Sequence, residues 1–178
     1  MKTLLIAIYL NIFAIGAFAQ QPVKYFELSD SVFEVGAICK LENIYFSISH
    51  WGLRPESYAE LDSVVNFLNK FENITIEMGS HTDFRPIPIT NDTLSLKRSE
   101  WLINYLIEKG INEKRLEAKG YAERIPYIVR KKDSEKYPFL KEGDVLTKEF
   151  IKNLPTIEQQ EGAHQLNRRT ELKILSIE

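Results

Sequence analysis

Apolar residues recur along this chain with two different periods, and the switches between them mark out its elements. In residues 74–78, Ile74, Ile76 and Met78 alternate with Thr75 and Glu77, the two-residue period of a half-buried strand. ENIYFSIS, with Ile44, Phe46 and Ile48 on one face, predicts a strand before it, and Val32, Phe33, Val35 and Ala37 predict a strand or edge ribbon earlier still. LRPESYAELDSVVNFLNKFEN carries Tyr58, Leu61, Val65 and Leu68 at helical spacing, with Pro55 suited to the first turn and Glu56 and Glu60 near the positive end. A second helix is predicted over NDTLSLKRSEWLINYLIEKGI, where Leu94, Trp101, Leu102, Tyr105 and Leu106 make the apolar face and Gly110 the stop. RLEAKGYAE predicts a short strand with Leu116 and Ala118 on one side, and RRTELKILSI a last one with Thr170, Leu172 and Ile174 facing one way. Between Tyr127 and Gln165 a charged stretch gives way to Leu146, Phe150, Ile151 and Leu154 at helical spacing before Pro155, which predicts one short helix.

This order gives an α+β fold: a βαβαββ-type two-layer sandwich, with two helices packed on one face of a small mixed sheet and a helical segment inserted before the last strand. Each βαβ crossover is expected to join a parallel pair by a right-handed connection. With 178 residues, 44% of them hydrophobic, one core is expected rather than two.

MKTLLIAIYLNIFAIGAFAQ has a lysine, an apolar stretch from Leu4 to Phe18 and the small-residue ending Ala17-Phe18-Ala19, the features of a secretory signal peptide cleaved after Ala19. A membrane anchor fits less well, because a spanning helix needs roughly 20 apolar residues. The expected layout is a signal peptide at 1–19, a lead-in at 20–43 and a domain at 44–178 containing an insertion at 128–164. Cleavage removes one lysine and no acid from a chain with 23 basic and 25 acidic residues, leaving a net charge of −3. Basic residues are interspersed with acids, the longest basic run being Arg130-Lys131-Lys132, so no nucleic-acid surface is expected. The lone Cys39 can form no intramolecular disulfide and lies too far past the apolar run to carry a lipid; a small buried hydrophobe is its expected role.

The candidate chemistry lies in GSHTDFRP, residues 79–86. Asp83 with His81 and Glu77 is a weak metal signal, lacking a second histidine nearby, and no metal or cofactor is expected. No serine or cysteine stands in a nucleophile context, so no catalytic residues and no enzyme are expected. Asp83 can cap a turn, with Arg85 solvated. It also follows a strand directly, while Arg98 lies near the start of the next helix, so the two can face one pocket. An acid and a base there suit a zwitterion, the arginine fork holding a carboxylate and the aspartate an ammonium, or they can pair with each other.

GSHTDFRPIPITNDTLSLKRSEWLINYLIEKGINEKRLEAKGYAE and the late NRRTELKIL resemble the C-terminal peptidoglycan-binding domain of the OmpA-like family, shared with Pal and MotB proteins. LENIYF, LRPES, YPFLKEGDVLTKEFIKNLP and AHQLNRRTE resemble a subgroup of Gram-negative envelope proteins. The resemblance implies noncovalent binding of the meso-diaminopimelate of peptidoglycan stem peptides, with Asp83 and Arg98 as ligand-binding residues. It implies supporting contacts from Asn91 and Thr82, and from at least one of Arg168 and Arg169. An alternative implied use is as a protein–protein interaction module, with outer-membrane or other envelope proteins as partners. The implied location is the periplasm, with any outer-membrane association made through a partner. Two departures stand out: Arg85-Pro86-Ile87-Pro88-Ile89 makes a stiffer, more apolar rim, and Phe46-Ser47-Ile48-Ser49 brings less negative charge to the mouth.

Overall fold

The computed structural model describes residues 23–47, 49–86 and 89–178. The signal-peptide reading at 1–19 therefore lies outside the described residues, as do Ile48, Ile87 and Pro88.

Strands β1 (Ile38–Leu41), β2 (Ile74–His81), β3 (Leu116–Ala122) and β4 (Thr170–Ile177) form one sheet in the order β1-β4-β2-β3. β4 runs antiparallel to β1 and β2, and β2 runs parallel to β3. The expected inward residues are in place: Ile74, Ile76, Met78, Thr170, Leu172 and Ile174 are all buried. Of the two crossovers, only that between β2 and β3 joins neighbours. β1 and β2 point the same way, but β4 lies between them, so the first crossover makes no parallel pair.

The first strand forms at Ile38–Leu41, where Cys39 and Leu41 are buried, and not at ENIYFSIS. The backbone just past β1 finds side-chain partners instead of a ladder. The Glu60 carboxylate accepts the Glu42 and Asn43 N–H groups, and Ser57 Oγ accepts the Tyr45 N–H at 2.7 Å. Phe46 is left with one isolated bridge to Leu53. Burial pushes the Cys39 thiol up to about 12, so it behaves as the small hydrophobe expected.

Helix α1 (Tyr58–Lys70), entered through a 3-10 turn at Pro55–Ser57, buries Leu61, Val64, Val65, Phe67 and Leu68. Helix α2 (Asn91–Glu108) buries Leu94, Leu102, Ile103 and Leu106. Trp101 and Tyr105 flank this face half-buried, because the Tyr105 hydroxyl reaches out to Asp62 at 2.7 Å. The face itself includes buried Ser95 and Ser99. Bulkier groups would not fit: a Cβ on Gly120 of β3 would lie 2.5 Å from the Leu96 backbone nitrogen. At this contact Ser99 Oγ donates to the Lys119 carbonyl at 2.7 Å and Ser95 Oγ accepts the Ala122 N–H at 3.1 Å.

The inserted segment holds three helices where one was expected: α3 (Lys131–Lys136), α4 (Lys148–Lys152) and α5 (Ile157–Asn167). α5 has little apolar periodicity, and its start is marked by Thr156, whose side chain accepts the Gln159 N–H at 3.2 Å. Tyr127, Val129, Leu140, Leu146, Ile151, Ala163 and Leu166 form a second small core. Buried Asn167 ties this unit to the start of β4, its Oδ1 accepting the Tyr127 N–H and its Nδ2 donating to the Leu146 carbonyl, both at 2.9 Å. Asn167→Ala strands both backbone groups away from water and should cost about 2 kcal/mol, measured as the midpoint shift in urea unfolding at unchanged slope.

Candidate functional site

The last residues of β2 are set between the ends of two other strands. His81 N–H donates to the Arg169 carbonyl and Thr82 N–H to the Ala122 carbonyl, both at 2.9 Å. A register shift after Ser80 pairs His81 with Ala122, past Tyr121, and Ala122 takes a left-handed φ of 49°. Such a conformation is costly for a residue with a Cβ, so surrounding bonds must hold it; its N–H goes to Ser95 of α2 and its carbonyl to Thr82. Asn91, the first residue of α2, closes the loop by donating from Nδ2 to the Asp83 carbonyl at 3.1 Å.

Asp83 emerges from this base 6% exposed, and its charge is met twice. Oδ2 accepts from Arg85 Nε at 3.1 Å, Arg85 Nη2 at 2.6 Å and Arg168 Nη1 at 2.5 Å, while Oδ1 accepts the Arg85 backbone N–H at 2.9 Å. Glu161 of α5 binds both guanidiniums in turn, at 2.7 Å to Arg85 and 2.6 Å to Arg168. Burial raises the Asp83 carboxyl, but the hydrogen bonds from Arg85 and Arg168 outweigh it and hold it at about 2.

Arg98 has no such partner. Its Nε donates to the His50 carbonyl at 3.1 Å, Nη2 approaches the Ser47 carbonyl at 3.4 Å, and the guanidinium lies 4.7 Å from the Phe46 ring centre. Among the described residues no carboxylate comes within ion-pair distance of it. Burial and the neighbouring Arg168 charge bring Arg98 down to about 10. A half-buried cation in that state is stabilised by any anion that enters.

Asp83, Arg98, Arg168, Asn91 and Thr82 line one cleft of about 600 Å³. Asp83 and Arg98 therefore face a common space as expected, yet they do not pair with each other; Arg85 and Arg168 take the aspartate. The paired arginines divide. Arg168 presents its guanidinium to Asp83, whereas Arg169, on the wall, directs Nε to Glu171 at 2.6 Å and lies buried against Tyr127. Thr82 Oγ1 and Ser80 Oγ are buried on the floor without a hydrogen-bond partner among the described residues. The His81 ring stacks on Tyr121 at 4.7 Å, its Nε2 lying 3.0 Å from Glu171. Glu77 accepts from the Tyr121 hydroxyl at 2.7 Å, so Glu77, His81 and Asp83 do not converge.

Arg85, read from the sequence only as solvated or as part of the rim, is instead paired with Asp83, and Glu161 escaped the sequence reading. Arg85 carried a signal, a base two residues after an acid; Glu161 carried none, since only the packing of α5 brings it here.

A depressed carboxyl stabilises the fold above its unfolded-state value near 4, and that contribution is lost as pH falls toward the folded value. Melting temperature should therefore drop as pH is lowered from about 4 to about 2, and the gap between the wild type and Asp83→Asn should close over the same window. Parallel melting curves for the two would place the charge network elsewhere.

Residues 45–137, just over half of the chain, match the OmpA family, and the chain belongs to that family. It is 25% identical over 93 residues to outer membrane porin F of Pseudomonas fluorescens, covering 52% of this chain and 28% of that protein. It is 25% identical over 84 residues to outer membrane protein P5 of Haemophilus influenzae, covering 47% and 24%. The match thus spans about a quarter of these relatives' length. The periplasmic domain of Helicobacter pylori MotB superposes with a TM-score of 0.55 at 15% identity, over 78% of this chain and 81% of that one. The cell wall anchor of the type VI secretion system (T6SS) from Pseudomonas aeruginosa gives 0.51 at 18%, over 74% of each chain. At these identities the likeness is one of fold.

Proposed function

We propose that the cleft binds peptidoglycan noncovalently, holding the meso-diaminopimelate of a stem peptide and so anchoring or organising the cell envelope. The observation that carries this reading is the uncompensated guanidinium of Arg98, facing the same cleft as Asp83. Arg98 takes the ligand carboxylate through its planar fork, and Asp83 takes the ammonium. Arg168 and Asn91 hold Asp83 in place, and Thr82 and Arg169 shape the floor and wall. The cleft binds without chemistry. Relatives named as outer membrane proteins and a neighbour named as a cell wall anchor support an envelope setting; the proposed location within it is the periplasm, with any outer-membrane attachment made through a partner. Among the described residues no helix is long and apolar enough to cross a membrane.

Co-sedimentation with purified, insoluble peptidoglycan tests the proposal. The protein should pellet with the wall; a protein that stays in the supernatant beside a wall binder that pellets would refute it. A second reading, the same fold used to hold another envelope protein, is favoured by Ile125, Ile128 and Val145, exposed by 46%, 42% and 43% on or beside the insertion. Loss of partner capture on Ile128→Ser, with wall binding unchanged, would support it.

A further inference from the structure

We infer that Arg85 is an internal competitor for the ammonium position at Asp83, so that the cleft takes a ligand's carboxylate at Arg98 first and its ammonium only once Arg85 swings away onto Glu161. The inference rests on the zwitterion-binding reading above and concerns how that site selects its ligand. The empty cleft is asymmetric. On one side Arg98 stands without a carboxylate, so the anion position is open. On the other, two guanidiniums already neutralise one aspartate, and an arriving ammonium gains little until one of them leaves.

Arg85 is the one placed to leave. Its side chain is 45% exposed against 27% for Arg168, and Arg168 is tied further to Gln165 at 2.7 Å. Release requires only side-chain rotation, because the Arg85 backbone N–H keeps its bond to Asp83 Oδ1. The guanidinium need not go unpaired, since Nη1 already holds Glu161 at 2.7 Å. Glu161 acts as the catch that retains the displaced arginine. A half-exposed ion pair is weak, so this competition should reduce apparent affinity by about two- to fivefold.

Titration calorimetry with two stem peptides separates the possibilities. One carries meso-diaminopimelate; the other carries 2-aminopimelate at the same position, which keeps the terminal carboxylate and lacks its ammonium. Arg85→Ala should bind the diaminopimelate peptide about two- to fivefold tighter and leave the 2-aminopimelate peptide unchanged. Weaker binding of either peptide by Arg85→Ala would make Arg85 a direct ligand contact, and unchanged binding of both would remove the competition; each result overturns the inference. Failure of the wild type to bind the diaminopimelate peptide at all would instead bring down the zwitterion reading, and the inference with it.

Discussion

Arg98→Lys should lose peptidoglycan affinity almost as completely as Arg98→Ala. The native side chain spreads its donors between the His50 and Ser47 carbonyls while its face rests on Phe46, which fixes the plane of the guanidinium at the cleft wall. A carboxylate arriving there can take the remaining parallel N–H groups as a bidentate pair, a geometry that an ammonium point charge does not reproduce. Truncating one partner of a desolvated charge pair costs about 2 to 5 kcal/mol, which is tens- to thousands-fold in affinity. The lysine stem still covers Phe46, so Arg98→Lys should keep its melting temperature close to the wild type. Calorimetric titration with a diaminopimelate stem peptide checks the pair of variants. Near-wild-type binding by Arg98→Lys would show that charge alone suffices and that the fork plays no part.

Gly120→Ala should be the most damaging single-methyl change in the domain. The added carbon would sit 2.5 Å from the Leu96 nitrogen, 2.7 Å from Ser95 Oγ and 2.8 Å from Leu96 Cα. Two of those three atoms are helix backbone, which cannot turn aside as a side chain would, so α2 must retreat from β3. Retreat also strains Ser95 to Ala122 and Ser99 to Lys119, the bonds that lock the helix to the strand. A cost of about 3 kcal/mol is expected, or about 6 to 12 °C in melting temperature for a chain of this size. Because α2 carries both Asn91 and Arg98, wall binding should weaken in parallel. A melting temperature within a degree of the wild type would mean that the helix–strand contact is looser than described.

The regular parts of the fold were legible because their burial is periodic. Ile74, Ile76 and Met78, and later Leu172 and Ile174, alternate as the sheet requires, and Leu61, Val65 and Leu68 recur as a helix face requires. Alternation failed at Ile44 and Phe46, which look like a strand but whose neighbours Asn43 and Tyr45 have their N–H groups captured by Glu60 and Ser57, tertiary partners that no local pattern announces. It failed again at α2, where Trp101 and Tyr105 suggested the buried face while Ser95 and Ser99 occupy part of it, because the close approach at Gly120 leaves room only for small side chains. β4 reaches its place between β1 and β2 through pairing across 90 residues or more, and nothing in its own sequence says which strands it will join.

At the cleft, charge type was legible and pairing was not. Asp83 and Arg98 come to one space as their positions after β2 and in α2 suggested, but which base neutralises the aspartate depends on side-chain reach. Arg85 folds back over two residues, and Arg168 arrives at the end of α5. Arg169 differs from its neighbour only in direction: one residue further along the strand start, it points to Glu171 and Tyr127.

The most direct test of the account follows the arginine Nε–H signals by nuclear magnetic resonance while the folded protein is titrated with a diaminopimelate stem peptide. Arg115, whose guanidinium is spent on the Ile74, Leu68 and Phe71 carbonyls, serves as an internal control far from the ligand. The account predicts saturable shifts at both Arg98 and Arg85 and none at Arg115. Saturable binding with the Arg98 signal unmoved, and shifts instead at Arg124 and Arg130 near Ile125 and Ile128, would contradict it.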